Sequence, residues 1–314
     1  MPDLFKHPVE QVITDMKVKI RDPDIAMLFA DTFPSTLDTT VRYFDKENLA
    51  FIITKQDISS QWLRDTGNQF AHLYPLLPHD PDLQALVKAV INTGARYIAE
   101  YPYRAAPGKR TFELDSLSAF LKISWSYYKY TNDSSFININ WRNAISQIMT
   151  VLHNQSQGTW DDSLNFISYY NWTGTDGYGG QYIMDDANVP SLVSLPYLGF
   201  LPLDDPRANG STALAAHTSN ATYPWPMSQI SAIYGTDDDE EIVERLYTIA
   251  NNTAGLGLIH EAINIYQSRT YTRPWFAWAN SYFAEMILDL ARRKPGLIFH
   301  DAIPYEIGSN RVSM

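Results

Sequence analysis

The sequence predicts an all-α protein built as a toroid of paired helices. Six segments repeat apolar residues at helical spacing. Strand signals are thin, with no βαβ alternation and no glycine-rich phosphate loop. The connections between the periodic segments are polar and rich in aromatics, as expected where loops at one end of a helical ring build a site.

The first helical face is Val9, Val12, Ile13, Met16 and Ile20. A short strand is expected over Leu49–Thr54, where β-branched and aromatic residues cluster. The second face, Leu83, Leu86, Val87, Val90 and Ile91, follows a Pro-His-Asp-Pro turn. The third is Leu117, Phe120, Leu121 and Ser124-Trp125, and the fourth Trp141, Ile145, Ile148, Met149 and Leu152. Gly174–Gly180 and Asp204–Thr222 read as loops. The fifth face is Ile242, Leu246 and Ile249, with Thr236 and acidic residues as its start and Gly255 near its end. The sixth, Phe283, Met286, Ile287 and Leu290, ends in Arg292, Arg293 and Lys294 before a Pro295-Gly296 stop.

At 314 residues and 45% hydrophobic content the chain can bury a large core. A net charge of −11 without any basic run argues against nucleic acid or an anionic membrane as partner. There is no Cys, which excludes disulfides, thiolate metal sites and a Cys nucleophile. No apolar run reaches membrane-spanning length, and the N-terminal Met-Pro-Asp-Leu-Phe-Lys-His shows no signal-peptide core. Six Asn-x-Ser/Thr triplets, at Asn132, Asn154, Asn171, Asn209, Asn220 and Asn251, point the other way. Chance gives roughly two or three. A secretory route with a missing leader reconciles the two.

Four clusters carry candidate chemistry. Gln61-Trp62-Leu63-Arg64-Asp65-Thr66 sets a planar donor fork beside an acceptor, which suits vicinal hydroxyls; the plain alternative is a surface ion pair capping a helix. Glu113-Leu-Asp115-Ser116 precedes an apolar helix, where Asp115 or Ser116 is a substrate ligand or an N-cap. Met184-Asp185-Asp186-Ala-Asn-Val-Pro190-Ser191 holds adjacent acids, suited to acid/base work, a cation or helix capping. The fourth joins Tyr223-Pro-Trp225-Pro-Met-Ser228 to His260-Glu261 and Tyr271-Thr-Arg273-Pro-Trp275-Phe-Ala-Trp278-Ala-Asn280-Ser281. Aromatic faces pack on sugar C–H groups, while Arg, Asn and carboxylates take the hydroxyls. A helix start with core aromatics explains the same stretch. Trp225, between two prolines, makes a stiff platform or a packed turn. The seven His are scattered, with no Gly-x-Ser-x-Gly elbow and no His-x-x-x-His pair, so neither a serine triad nor a metal is expected, and no cofactor.

Taken together, Thr36–Thr40, Trp62-Leu-Arg-Asp65, Glu113-Leu-Asp-Ser116, Met184-Asp-Asp-Ala-Asn-Val-Pro-Ser-Leu192, Trp225-Pro-Met227, Gly257-Leu-Ile-His-Glu261 and Tyr271–Ser281 occur in an order that resembles glycoside hydrolase family 125. The resemblance spans most of 1–292 and implies a single (α/α)6 barrel. It also implies a metal-independent, exo-acting, inverting α-1,6-mannosidase, with an α-mannoside oligosaccharide as substrate. The wealth of sequons looks like secreted fungal members. By resemblance Glu261 is the general base, Trp62, Arg64 and Asp65 bind sugar, and His260, Arg273 and Trp275 form the wall. An inverting enzyme needs a second carboxylate, roughly 6.5–9.5 Å from the first, to protonate the leaving oxygen. The family's acid lies in an Arg-Pro-Ser-Asp-Asp-Ala segment that this chain lacks. A long family segment is missing near 157–170 and a shorter one near 203–217, so the barrel is expected to be incomplete. Asp186 is the candidate stand-in for the acid. An incomplete gene product and a true variant both fit, and either is expected to be impaired. A mannose-binding remnant without chemistry, or a plain helical scaffold, are the alternatives.

Overall fold

A computed structural model of the chain describes residues 6–46, 48–55, 60–109, 112–156, 159–161, 166–168, 173–175, 181–183, 194–202 and 223–308. Helices dominate. Helix α1 (Lys6–Lys19) buries Val9, Val12 and Met16. Asp22 then caps α2 (Pro23–Thr32), accepting from the backbone N–H groups of Asp24 and Ile25 at 2.9 and 3.3 Å, with Pro23 at the first helical position. After α3 (Ser35–Thr39), strands β1 (Val41–Phe44) and β2 (Ala50–Ile52) form an antiparallel hairpin. Helix α4 (Leu63–Gln69) runs into a 3₁₀ stretch over Ala71–His79, whose Pro75 and Pro78 deny it regular α-helical bonding.

Asp80 caps α5 (Pro81–Glu100) in the same manner as Asp22. Helix α6 (Leu114–Thr131) ends at Asn132, in the left-handed region at φ 54°, and α7 (Ile139–Ser156) packs on α5. Two further antiparallel pairs follow: β3 (Thr159–Asp161) with β4 (Phe166–Ser168), and β5 (Thr173–Thr175) with β6 (Gln181–Ile183). Helices α8 (Pro226–Tyr234), α9 (Asp239–Ala250), α10 (Ala277–Arg293) and α11 (Pro295–Ile298) complete the described chain.

Several expectations are corrected in detail. Asp238, not Thr236, caps α9, because its carboxylate reaches the N–H groups of Glu240 and Glu241. Neither Asp115 nor Ser116 caps α6: Glu113 holds the N-cap position, and both residues lie within the first turn. Leu121, Trp125 and Met149 point outward at 38%, 63% and 60% exposure, and Ile123, Tyr127, Ala144 and Val151 take the core instead. Four of the six short strands fall where no strand was expected, over 159–183.

Helix α10 is the hub. Its residues Ala277 to Ala284 are buried on every side, as in a helix surrounded by others. It contacts α2, α3, α4, α8 and the 3₁₀ stretch. Gly67 lets α4 approach α6 closely, since an added Cβ would stand 2.6 Å from the Ala119 carbonyl oxygen. Helices α4, α6 and α10 present their N-terminal ends to one another. Arg64, near the start of α4, pairs with Glu113 at the start of α6 and lies over the Trp278 ring at the start of α10. Deeper along these helices a polar cluster fills the interior. Lys122 donates to Asn68 and Tyr197, and the Tyr197 hydroxyl donates to Glu285 at 2.9 Å. A cavity of about 680 Å³ opens beyond it, toward the C-terminal end of α10, lined by Tyr130, Tyr197, Tyr234 and Asp289.

Candidate active site

Glu261 sits on the segment before α10. Three hydrogen bonds fix that segment. The Ile259 N–H donates to the Asn280 side chain at 2.8 Å, the Phe276 N–H to the Ile259 carbonyl at 3.0 Å, and the Thr272 N–H to the Ala262 carbonyl at 3.0 Å. Ile263 and Tyr271 form an antiparallel bridge, so residues 271–273 fold back over Glu261. Asn280 therefore shapes the loop and is itself fully buried.

The Glu261 carboxylate is 9% exposed and held on both oxygens. Lys55 Nζ donates to Oε1 at 2.6 Å. Thr272 Oγ1 donates to Oε2 at 3.1 Å, and Arg273 Nη1 donates to the same oxygen. Lys55 is brought in by β2: the Ala277 N–H reaches the Thr54 carbonyl at 3.4 Å, which ties the strand's exit to the start of α10. Its ammonium lies 4.9 Å from the Phe276 ring centroid. Burial pushes the Lys55 ammonium below its usual range, and the Glu261 charge pulls it back up.

Arg64 and Asp65 stand beside this group, 9% and 3% exposed. Arg64 reaches Glu113 at 2.7 Å, Asp115 at 3.4 Å and Asp65 at 3.5 Å. A cap on the surface was the plain alternative for this pair, and the structure places it inside. Burial raises the Asp65 carboxyl above its usual range. Arg64 and Lys55 oppose the rise, while Asp115 and Glu261 add to it. Among the described residues, Trp62 Nε1 is buried without a hydrogen-bond partner, and Asp65 Oδ2 meets only the Arg64 guanidinium, at 3.5 Å. Buried polar atoms are normally paired, so both retain capacity for a further hydrogen bond.

The other expected residues divide. Trp62 and Trp275 are half-buried and keep some surface open. Trp225 is 2% exposed and meets Phe276 edge-on, with ring centroids 5.8 Å apart. It is a core ring rather than an open platform, because the helix that starts at Pro226 draws it inward. His260 is fully buried, stacks on Tyr271 at 4.1 Å and bonds the Arg273 carbonyl through Nδ1 at 3.0 Å. Burial keeps its imidazole below the usual value. It positions the Arg273 loop from behind. Asp186 and the rest of its motif lie outside the described residues, as do most of the stretches where family segments were expected to be missing.

Lys55 and Thr272 went unrecognised in the sequence. A lone Lys after an apolar strand carries no signal of its own, and only the fold brings it across 206 positions to Glu261. No cluster of three or more His, Asp or Glu suited to a metal occurs among the described residues.

A helical fold that gathers carboxylates, guanidinium groups and aromatics at one end suits a site for a neutral polyol. Comparison with known proteins identifies the family. The chain matches the metal-independent alpha-mannosidase family, GH125, over residues 22–108, 107–176, 174–212 and 207–288. It belongs to that family and is an α-mannosidase-like glycoside hydrolase. It is 30% identical to the Meiotically up-regulated gene 157 protein of Schizosaccharomyces pombe, across 94% of this chain and 87% of that one. That alignment runs over 445 positions, whereas 94% of 314 residues is about 295, so about 150 positions have no residue from this chain. The fold also matches a metal-independent α-mannosidase of Streptococcus pneumoniae solved in a non-productive complex with α-1,6-mannobiose. The TM-score is 0.78 at 18% identity, covering 90% of this chain and 97% of that one. The architecture is thus the (α/α)6 barrel of the family.

Proposed function

We propose that the chain hydrolyses terminal α-1,6-linked mannosides with inversion, with Glu261 as general base. The observation that carries this reading is the pair of environments at the N-terminal ends of the inner helices. Glu261 is clamped by Lys55, Thr272 and Arg273, and the buried Arg64–Asp65 pair stands beside it, linked to Glu113 and Asp115. The clamp orients a carboxylate to take a proton from water. Arg64, Asp65 and Asp115 offer a donor fork and acceptors for the hydroxyls of a neutral sugar, and Trp62 and Trp275 offer apolar faces. The leaving oxygen needs a proton from a second carboxylate, and Asp186 is the candidate.

A second reading, a mannose-binding protein without full catalysis, draws on the 150 or so unmatched positions of the fission-yeast relative. An aryl mannoside separates the two. Dinitrophenolate leaves without protonation, so dinitrophenyl α-mannoside requires only the base. Turnover of this substrate that is lost in Glu261→Gln supports the hydrolase. Turnover of α-1,6-mannobiose as well means that an acid is in place. Saturable mannobiose binding without release of either product supports the second reading.

A secretory route is part of the proposal. Asn132, Asn154 and Asn251, the sequon residues among those described, are all exposed and accessible to glycosylation. Expression in a eukaryotic secretory host followed by glycosidase treatment tests it through a mobility shift.

A further inference from the structure

We propose that Lys55 is a positioning residue for the base, selecting which oxygen of Glu261 meets the attacking water. The inference rests on the hydrolase reading above. An ionised carboxylate offers about four lone-pair sites. Among the described residues, Thr272 and Arg273 both donate to Oε2, and Lys55 donates to Oε1. Oε2 is therefore filled, and one site remains on Oε1, next to the ammonium. Water that surrenders a proton to Glu261 does so there.

The surroundings make the selection firm. Lys55 and Glu261 side chains are only 4% and 9% exposed, so bulk water does not compete for the contact. Phe276 backs the ammonium at 4.9 Å and limits its swing. The strand exit that carries Lys55 is bonded to α10 through Thr54 and Ala277, so cation and carboxylate share one rigid support. Without the lysine, Arg273 and Thr272 still hold Oε2, but the carboxylate is free to turn about that anchor and Oε1 loses its fixed direction. Lys55 is bonded to the base, so its loss is expected to act on the chemical step rather than on binding.

Three proteins and one substrate test this. Wild type, Lys55→Met and Lys55→Arg are assayed with dinitrophenyl α-mannoside, each first confirmed folded by circular dichroism. Lys55→Met keeps the length and apolar body of the side chain and removes the donor. Its kcat is expected to fall roughly 10²-fold with KM within about threefold, the usual cost of misplacing a catalytic group by about 1 Å. Lys55→Arg, which restores a charged donor, is expected to recover at least tenfold of that loss. A folded Lys55→Met with wild-type kcat, or equal loss in both variants, overturns the proposal while leaving the hydrolase reading intact. An inactive wild type overturns both.

Discussion

Lys55 Nζ and Glu261 Oε1 lie 2.6 Å apart although 206 residues separate them in the chain. The contact joins the exit of the β1–β2 hairpin to the segment before α10. Burial disfavours the ammonium, and the neighbouring carboxylate supports it. Replacing both partners of such a buried pair by apolar groups is often neutral for stability, whereas removing one leaves the surviving charge in a dry setting and is destabilising.

Asp65 carries a buried carboxyl whose titration links folding to pH. Burial raises its carboxyl, so the folded state holds the proton more tightly than the unfolded chain does. Folding stability therefore falls as pH rises above the ordinary carboxylate value. Asp65→Asn removes that cost. The variant is expected to show a higher urea midpoint than wild type at pH 7, a difference that shrinks toward pH 4, together with weaker mannobiose binding. A lower midpoint at pH 7 contradicts the assignment.

Arg64 links Asp65, Glu113 and Asp115 and covers the Trp278 ring at 5.4 Å. An ammonium cannot present the same fork. Arg64→Lys is expected to weaken mannobiose affinity at least tenfold, read by isothermal titration calorimetry. Unchanged affinity would mean that the guanidinium only braces the helix ends.

Gly67 provides the close approach of α4 to α6. In Gly67→Ala the new Cβ meets the Ala119 carbonyl oxygen at 2.6 Å and its Cβ at 2.8 Å, both rigid. Overpacking of this kind costs about 1–3 kcal/mol. Because Arg64 and Asp65 ride on α4, activity is expected to fall along with the urea midpoint.

His72 is 1% exposed, and its Nε2 faces the Phe33 carbonyl at 2.8 Å. Burial holds its imidazole down to about 4, against 6.5 for the free group. As pH falls below 6.5 the unfolded chain binds the proton first, so stability is lost between 6.5 and about 4. The loss at low pH amounts to roughly 3 kcal/mol. Urea denaturation at pH 7 and pH 4 should show this drop in wild type and a smaller one in His72→Gln. Equal drops would mean that other groups govern the acid limb.

The helices were legible wherever apolar periodicity was long and cleanly capped. Helices α5 and α9 follow the predicted faces, and α1 keeps most of its own. Helix α2 was missed although Asp22-Pro23 is a strong start signal, because its ten residues are apolar on several sides and show no stripe. Helix α4 and the 3₁₀ stretch were obscured by Gly67, Pro75 and Pro78. In the site, motifs identified Arg64 with Asp65, adjacent in the chain, and Glu261 with Arg273, twelve positions apart. Pairing across the fold was not legible, so Lys55 was missed and Trp225 stayed divided between a platform and a packed turn. Packing decides such matters, and a local sequence pattern does not record it.

Proton NMR during hydrolysis of dinitrophenyl α-mannoside tests the central claim most directly. Activation of water by Glu261 on the face opposite the leaving group delivers β-mannose first, with α-mannose appearing only as the sugar mutarotates. Initial α-mannose, or no mannose at all from protein shown to be folded in the same tube, would contradict the account.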